Sequence, residues 1–273
     1  MILMNCILGH SETQPKSEAE GKLEEILKAC AQYCEKLADA SLHFICRERI
    51  VEEVYHYRPG TYFRNQPLLI DKEKSTFVYE FRFRLEEKRI QDSRILVEEN
   101  GKKRREENDP LKTIHYGQEI IFLEPVGLLS KDYWSYYHYR IVGRERFKGE
   151  KAVVIEVVPS DAEADEFTAK IWVRDGNFSL LKIERVQETL GDFEGFKRTS
   201  DGILLESHIT YITEFLYEKD GIRFPTRHSI RETYYAIFSK RKRLVRSLVR
   251  SETIVVYEDY KVELMRNSIP LFR

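Results

Sequence analysis

Three cysteines are the first residues whose type and spacing could do chemistry. Cys30 and Cys34 lie four apart, on one face of any helix that holds them, and Cys46 follows on the next segment. No Cys-x-x-Cys occurs, which excludes zinc-ribbon and thioredoxin chemistry. A bridge from Cys34 to Cys46 would staple helix to strand across a short loop, contributing about 2–4 kcal/mol in an oxidising compartment. The other reading of these residues is small buried thiols. The seven histidines (His10, His43, His56, His115, His138, His208 and His228) are scattered, and none sits at metal-ligand spacing from another. The carboxylate pairs Glu52-Glu53, Glu86-Glu87 and Glu98-Glu99 are sequence neighbours. On a strand, neighbours point to opposite faces, so such pairs cannot share one proton-transfer site and read as charge on a wet face. No Gly-x-Ser-x-Gly elbow, His-Glu-x-x-His, P-loop or Gly-x-Gly-x-x-Gly is present. The sequence therefore points to no catalytic residue, no metal-ligand set and no cofactor.

What remains is binding by apolar contact. Phe81, Phe83, Phe122, Leu128, Trp134 and Trp172 are the candidate ligand contacts, chosen from strand positions expected to face inward and from a short apolar helix beside them. Trp172 alternates with Lys170 and Arg174 on the charged side of its strand. The run Lys240-Arg241-Lys242-Arg243, with Arg246 and Arg250, reads either as an anion or headgroup patch or as a solvated hairpin tip.

These residues must be held by something, and the composition bounds what that is. The chain has 273 residues with 42% hydrophobic and 12% aromatic content, enough for a real core. Forty-five basic residues against 46 acidic leave a net charge of −1, so nothing global attracts nucleic acid. No stretch reaches the ~20 apolar residues of a membrane-spanning helix. Residues 1–16 read as the residue of an export signal followed by a linker, and 17–273 as a single domain. Asn5 before Cys6 fits a lipoprotein cleavage site poorly, so anchoring at Cys6 is not expected.

Periodicity supplies the elements. Leu23, Ile26, Leu27, Cys30, Cys34 and Leu37 predict a helix over 17–39. From Leu42 the period becomes two, and Phe77, Tyr79, Phe81, Phe83 and Leu85 predict a half-buried strand. Arg58-Pro59-Gly60 and Pro67 read as breakers. Lys102 to Glu107, with no apolar residue, reads as a solvated loop. Val126 to Trp134 predicts a short helix lying in the hollow of a sheet. Later strands follow one another through Gly-containing turns, with 203–217 and 222–237 as a long hairpin and 248–264 as a last long strand. The expected fold is mainly β with a few helices: about ten antiparallel strands in a strongly curved sheet, a barrel or half-barrel, wrapped around the N-terminal helix and a second one.

One stretch carries a resemblance. Tyr139-Arg-Ile-Val-Gly143, Gly149, Ala152-Val-Val-Ile-Glu-Val-Val-Pro159, Lys170-Ile-Trp172-Val173 and Leu181-Lys-Ile-Glu184 resemble the LolA/LolB-like outer-membrane lipoprotein-sorting superfamily. The resemblance covers about a sixth of the chain. It implies an antiparallel half-barrel plugged by helices and periplasmic residence. It also implies binding of acyl chains or hydrophobic partners, with the helix near Val126 to Trp134 as a lid. The long strands beyond Ile203 exceed the family pattern. The function expected on these grounds is a non-catalytic periplasmic carrier or sensor for a lipid, an acylated lipoprotein or another hydrophobic ligand. The alternative is an envelope protein–protein interaction module with no small ligand.

Overall fold

The computed structural model describes residues 18–40, 42–63, 66–86, 89–107, 111–113, 121–161, 167–189, 203–238 and 243–264. Helix α1 (Glu18–Ala38) forms where the i, i+3, i+4 apolar spacing predicts it. It buries Ile26, Leu27, Cys30, Cys34 and Leu37 and turns the pairs Lys22–Glu25 and Lys28–Glu24 to solvent.

Eleven strands form one antiparallel sheet. They are β1 (Leu42–Phe63), β2 (Gln66–Glu86), β3 (Arg89–Glu99), β4 (Lys102–Glu107), β5 (Tyr137–Phe147), β6 (Glu150–Pro159), β7 (Thr168–Arg174), β8 (Leu180–Thr189), β9 (Ile203–Glu214), β12 (Arg227–Phe238) and β13 (Arg243–Leu264). The order is β4-β3-β2-β1-β13-β12-β9-β8-β7-β6-β5, with both edges unjoined, so the sheet is an open half-barrel. Most neighbours are joined by hairpins. The exception is β1 with β13, the first and last strands, which meet in the middle of the sheet. The long 203–237 hairpin forms as β9 with β12, but its tip folds away as a separate two-stranded sheet, β10 (Tyr217–Lys219) and β11 (Ile222–Phe224).

Two expectations are overturned. The charge run 102–107 is the edge strand β4, paired with β3. Lys102, Lys103, Arg104 and Arg105 are all exposed, so neither face of this edge strand lies over the core or needs apolar residues, and charges there discourage further pairing. Neither breaker ends a strand: β1 continues through Pro59-Gly60 to Phe63, with the irregularity absorbed as a register shift between Arg58 and Tyr62, and Pro67 lies in β2 opposite Tyr62. Proline is tolerated where a strand bulges or lacks a partner on one side, and β13 pairs with β1 only as far as Val54.

The concave face is built from residues two apart on every strand. Nine side chains from nine adjacent strands form one lateral row: Ile141, Ile155, Ile171, Ile183, Thr213, His228, Val255, Ile50 and Phe77. Seven are apolar, and the polar couple Thr213–His228 sits near the middle, fully buried. Helix α1 and the segment 121–136 cover this face. That segment consists of a 3-10 turn (Ile121–Leu123), helix α2 (Glu124–Leu129) and a second 3-10 stretch (Lys131–Tyr136). Pro125, a breaker by pattern, sits in the first turn of α2, where its missing N–H costs nothing.

Candidate functional site

The covered face divides into two packed halves. Under β1–β3 and β13 the filling is aromatic. Phe44 is its hub: its ring lies 4.9 Å from Phe83, 5.5 Å from Phe122, 5.6 Å from Phe224, 5.5 Å from Tyr260 and 5.9 Å from Phe81. Phe122 comes from the plug segment, so the plug's first turn is stacked into this cluster. Under β5–β8 the filling is aliphatic: Ile26, Leu27, Leu128 and Leu129 pack on Val153, Ile155, Val157, Ile171, Val173 and Ile183.

A void of about 20 Å³ remains in the aromatic half, lined by Phe44, Phe81, Phe83, Ile121, Phe122 and Tyr260 among others. That is room for about one water molecule. No acyl chain fits it while the plug is seated. At its wall Arg94 donates to Glu48 at 2.6 and 3.1 Å in a two-pronged pair, and to Asp92 at 3.1 Å. Its guanidinium lies 4.3 Å over the Phe81 ring. Both Glu48 and Arg94 are buried. The charges compensate, so the wall presents no cation to an incoming acid.

The plug is latched to the sheet at the polar couple. Glu124, at the start of α2, accepts from Thr213 Oγ1 at 2.8 Å and pairs with Arg185 Nε at 2.5 Å. His228 Nδ1 lies 2.9 Å from the same Oγ1. A hydroxyl has one proton; given to the carboxylate, which only accepts, it leaves Oγ1 to accept from Nδ1–H. Burial, reinforced by the Arg185 charge, pushes His228 down to about 3 from 6.5, so the ring stays neutral. Acid, hydroxyl and imidazole are the residue types of a nucleophilic triad, but here the hydroxyl lies in the middle and no imidazole stands ready to take its proton. The cluster is a fastening. Further ties are Cys34 Sγ on α1 to the Pro125 carbonyl (3.3 Å) and Tyr139 Oη on β5 to the Leu128 carbonyl (2.8 Å), while Trp134 Nε1 donates to the Leu129 carbonyl (3.1 Å) within the plug itself.

Of the candidate contacts, Phe81, Phe83 and Phe122 come together around the void, while Leu128 and Trp134 lie in the aliphatic half. Trp172 does not join them. It packs on the opposite, convex face with Ala152, Val154 and Leu181; Lys182 Nζ lies 3.8 Å over its ring and Nε1 donates to Glu145. Its alternation with Lys170 and Arg174 already put it on that side, so it is removed from the concave site.

The Cys34–Cys46 bridge is absent as well. Cys30, Cys34 and Cys46 are free and buried, with Cys34 in the aliphatic half and Cys46 in the aromatic half. Burial pushes Cys30 up to about 12 and raises the other two further, which keeps all three as unreactive thiols. Cys6 and Lys240-Arg241-Lys242 lie outside the described residues. Sequence reasoning missed Phe44 as the hub, and it read every paired carboxylate as wet. Glu52, which is 3% exposed, faces inward, as does Glu48. The available signal was the period-two frame from Leu42, which places 48 and 52 on the buried side.

No family model and no curated protein matches the sequence. Among solved structures the chain is similar to the LolA superfamily protein NE2245 from Nitrosomonas europaea: 12% identity, 86% of this chain and 92% of that one, TM-score 0.30. It is also similar to a DUF1329 family protein from Desulfovibrio piger, with 11% identity over 87% and 92% of the chains and a TM-score of 0.35. A third is the MucA/MucB complex of Pseudomonas aeruginosa, where identity is 12% over 91% of this chain and 94% of that one, with a TM-score of 0.23. At these identities and scores the likeness transfers no ligand, partner or compartment. The chain's own geometry is that of an open, eleven-stranded antiparallel half-barrel closed on its concave side by a helix and a short plug.

Proposed function

We propose that the protein is a non-catalytic carrier or sensor that takes up an apolar ligand, the acyl chain of a lipid or of an acylated protein, on the concave face when the plug lifts. The observation that carries this reading is the mismatch between what the plug covers and what holds it. It covers an apolar floor, with Phe122 over the aromatic half and Leu128 over the aliphatic half, yet its first helical turn is tied down by a polar latch, Glu124 to Thr213 and Arg185. An acyl chain replacing the plug's apolar side chains would recover their burial at about 25 cal/mol per Å². The latch would be exchanged for water. With a void of only about 20 Å³ in the closed form, uptake is a population shift toward an open form and not entry into a ready cavity. Residence in the bacterial periplasm is part of this proposal and rests on the 139–184 resemblance. Phe81, Phe83, Phe122, Leu128 and Trp134 are its contact residues.

The test is native mass spectrometry with lipid extraction on protein purified from the periplasm, compared with a Thr213→Val variant. The substitution removes the hydroxyl that fastens Glu124 to the sheet and shifts the plug toward the open form. The expected result is a stoichiometric lipid on the native chain and fuller uptake by the variant with the loosened latch. A lipid-free native chain across several lipid mixtures overturns the carrier reading.

A second reading has its own observation. Leu68, Leu69 and Ile70 are 38%, 46% and 57% exposed, on the arm of β1 and β2 beyond the reach of β13. Three consecutive exposed aliphatic residues suit a protein-binding surface of an envelope interaction module.

A further inference from the structure

The convex face carries a recess of its own. Three ladder irregularities fall side by side: between Ile45 and Arg47 where β1 meets β13, between Val78 and Tyr79 where β2 meets β3, and between Leu96 and Glu98 where β3 meets β4. At the first, Asp259 takes a positive φ of 56°. Each bulge bends its strand, and the three adjacent bends open a groove of about 520 Å³ on the side away from the plug. That volume lies within the 300–1,000 Å³ of ordinary small-molecule sites.

The groove is amphipathic. Ile45, Val78 and Val97 form its apolar part, and Val97 is 42% exposed. Arg47, Lys103, Arg104 and Lys261 stand around it with Glu80, Glu98 and Asp259. Glu80 is engaged by Arg82 at 2.6 Å and Arg104 by Glu99 at 3.4 Å. Arg47, Lys103 and Lys261 are exposed and form no ion pair among the described residues, and neither do Glu98 and Asp259. Three uncommitted cations against two uncommitted acids leave the groove net positive beside its apolar strip, which favours an acid head on an aliphatic chain over a neutral or cationic one.

We propose that this convex groove binds a single-chain anionic amphiphile, with its chain along Ile45, Val78 and Val97 and its head among Arg47, Lys103 and Lys261. The head is a carboxylate or a phosphate, which share this recognition. The site is independent of the concave one and needs no movement of the plug.

Methyl-labelled NMR on the full chain tests it, with dodecanoate, lauroyl-lysophosphatidylglycerol and uncharged dodecyl maltoside added below their micelle concentrations. Saturable shifts are expected at Ile45, Val78 and Val97 with at least one anionic probe, at tenfold or more higher affinity than the maltoside. The tighter anionic probe identifies the head. The exposed double substitution Lys103→Glu/Lys261→Glu should weaken that binding at least tenfold. Shifts confined to Ile121 and Leu128 would mean that the concave site alone takes the ligand, and would overturn the convex site. So would equal affinity for the maltoside, undiminished binding by the double variant, or the absence of shifts at the groove.

Discussion

The two halves under the plug are made of different material. The aliphatic half packs α1 against β5–β8 with Ile, Leu and Val. The aromatic half packs rings around Phe44, keeps a small void, and carries a buried ion pair at its wall. Branched aliphatic side chains interlock on a pleated surface and leave little reason to move. Rings meet at edges and faces with separations of 5–6 Å and can re-stack around a new apolar guest. On the carrier reading proposed above, the strands of the aliphatic half supply stability and the aromatic half exchange, while Leu128 and Trp134, which the plug rests on the aliphatic half, reach the ligand only as the plug lifts.

The largest effect expected from breaking this contrast is at Arg94. Arg94→Ala leaves Glu48 buried without its two-pronged partner and should cost about 3–5 kcal/mol in urea unfolding. Replacing both by methionine should cost far less, because no charge is then stranded. If the single and double variants are equally unstable, the pair is ordinary packing.

His228 should give the next effect. Its folded value of about 3 lies below the unfolded 6.5, so between these limits the unfolded chain binds the extra proton. The stability that neutral His228 contributes is complete above pH 6.5 and falls as pH drops through that window, by about 1.4 kcal/mol per pH unit. His228→Gln should flatten this part of the profile relative to the native chain. Parallel profiles for the two would show that the ring is not kept neutral.

The smallest effect tests the aliphatic half. Ile155→Val should cost about 0.5–1.5 kcal/mol and leave lipid uptake unchanged, whereas Phe83→Leu should alter uptake. Equal effects on uptake would erase the functional distinction between the halves.

Much of this was legible locally. The i, i+4 spacing of Cys30 and Cys34 gives α1, and the alternation of Phe77, Tyr79, Phe81, Phe83 and Leu85 gives β2 and its inward face. The same alternation placed Trp172 with Lys170, against its choice as a ligand contact. The edge strand β4 was illegible because its residues carry no apolar period; only the partner β3 makes them a strand. The bridge between Cys34 and Cys46 failed because nearness along the chain does not place two side chains in the same half of the core.

The sequence by itself determined the kind of element at most positions: one amphipathic helix, many antiparallel strands joined by glycine turns, a short plug, and the lack of any known catalytic motif. These follow from side-chain period and turn chemistry, which act over a few residues. Tertiary structure alone decided that β1 lies beside β13, and this adjacency brings Phe44 to Tyr260. It also decided that Glu124 meets Thr213 across 89 residues, and that Glu48 meets Arg94. Such pairings join segments far apart in the chain. They are chosen by how the whole sheet curves and closes its apolar face, and no local window contains that information.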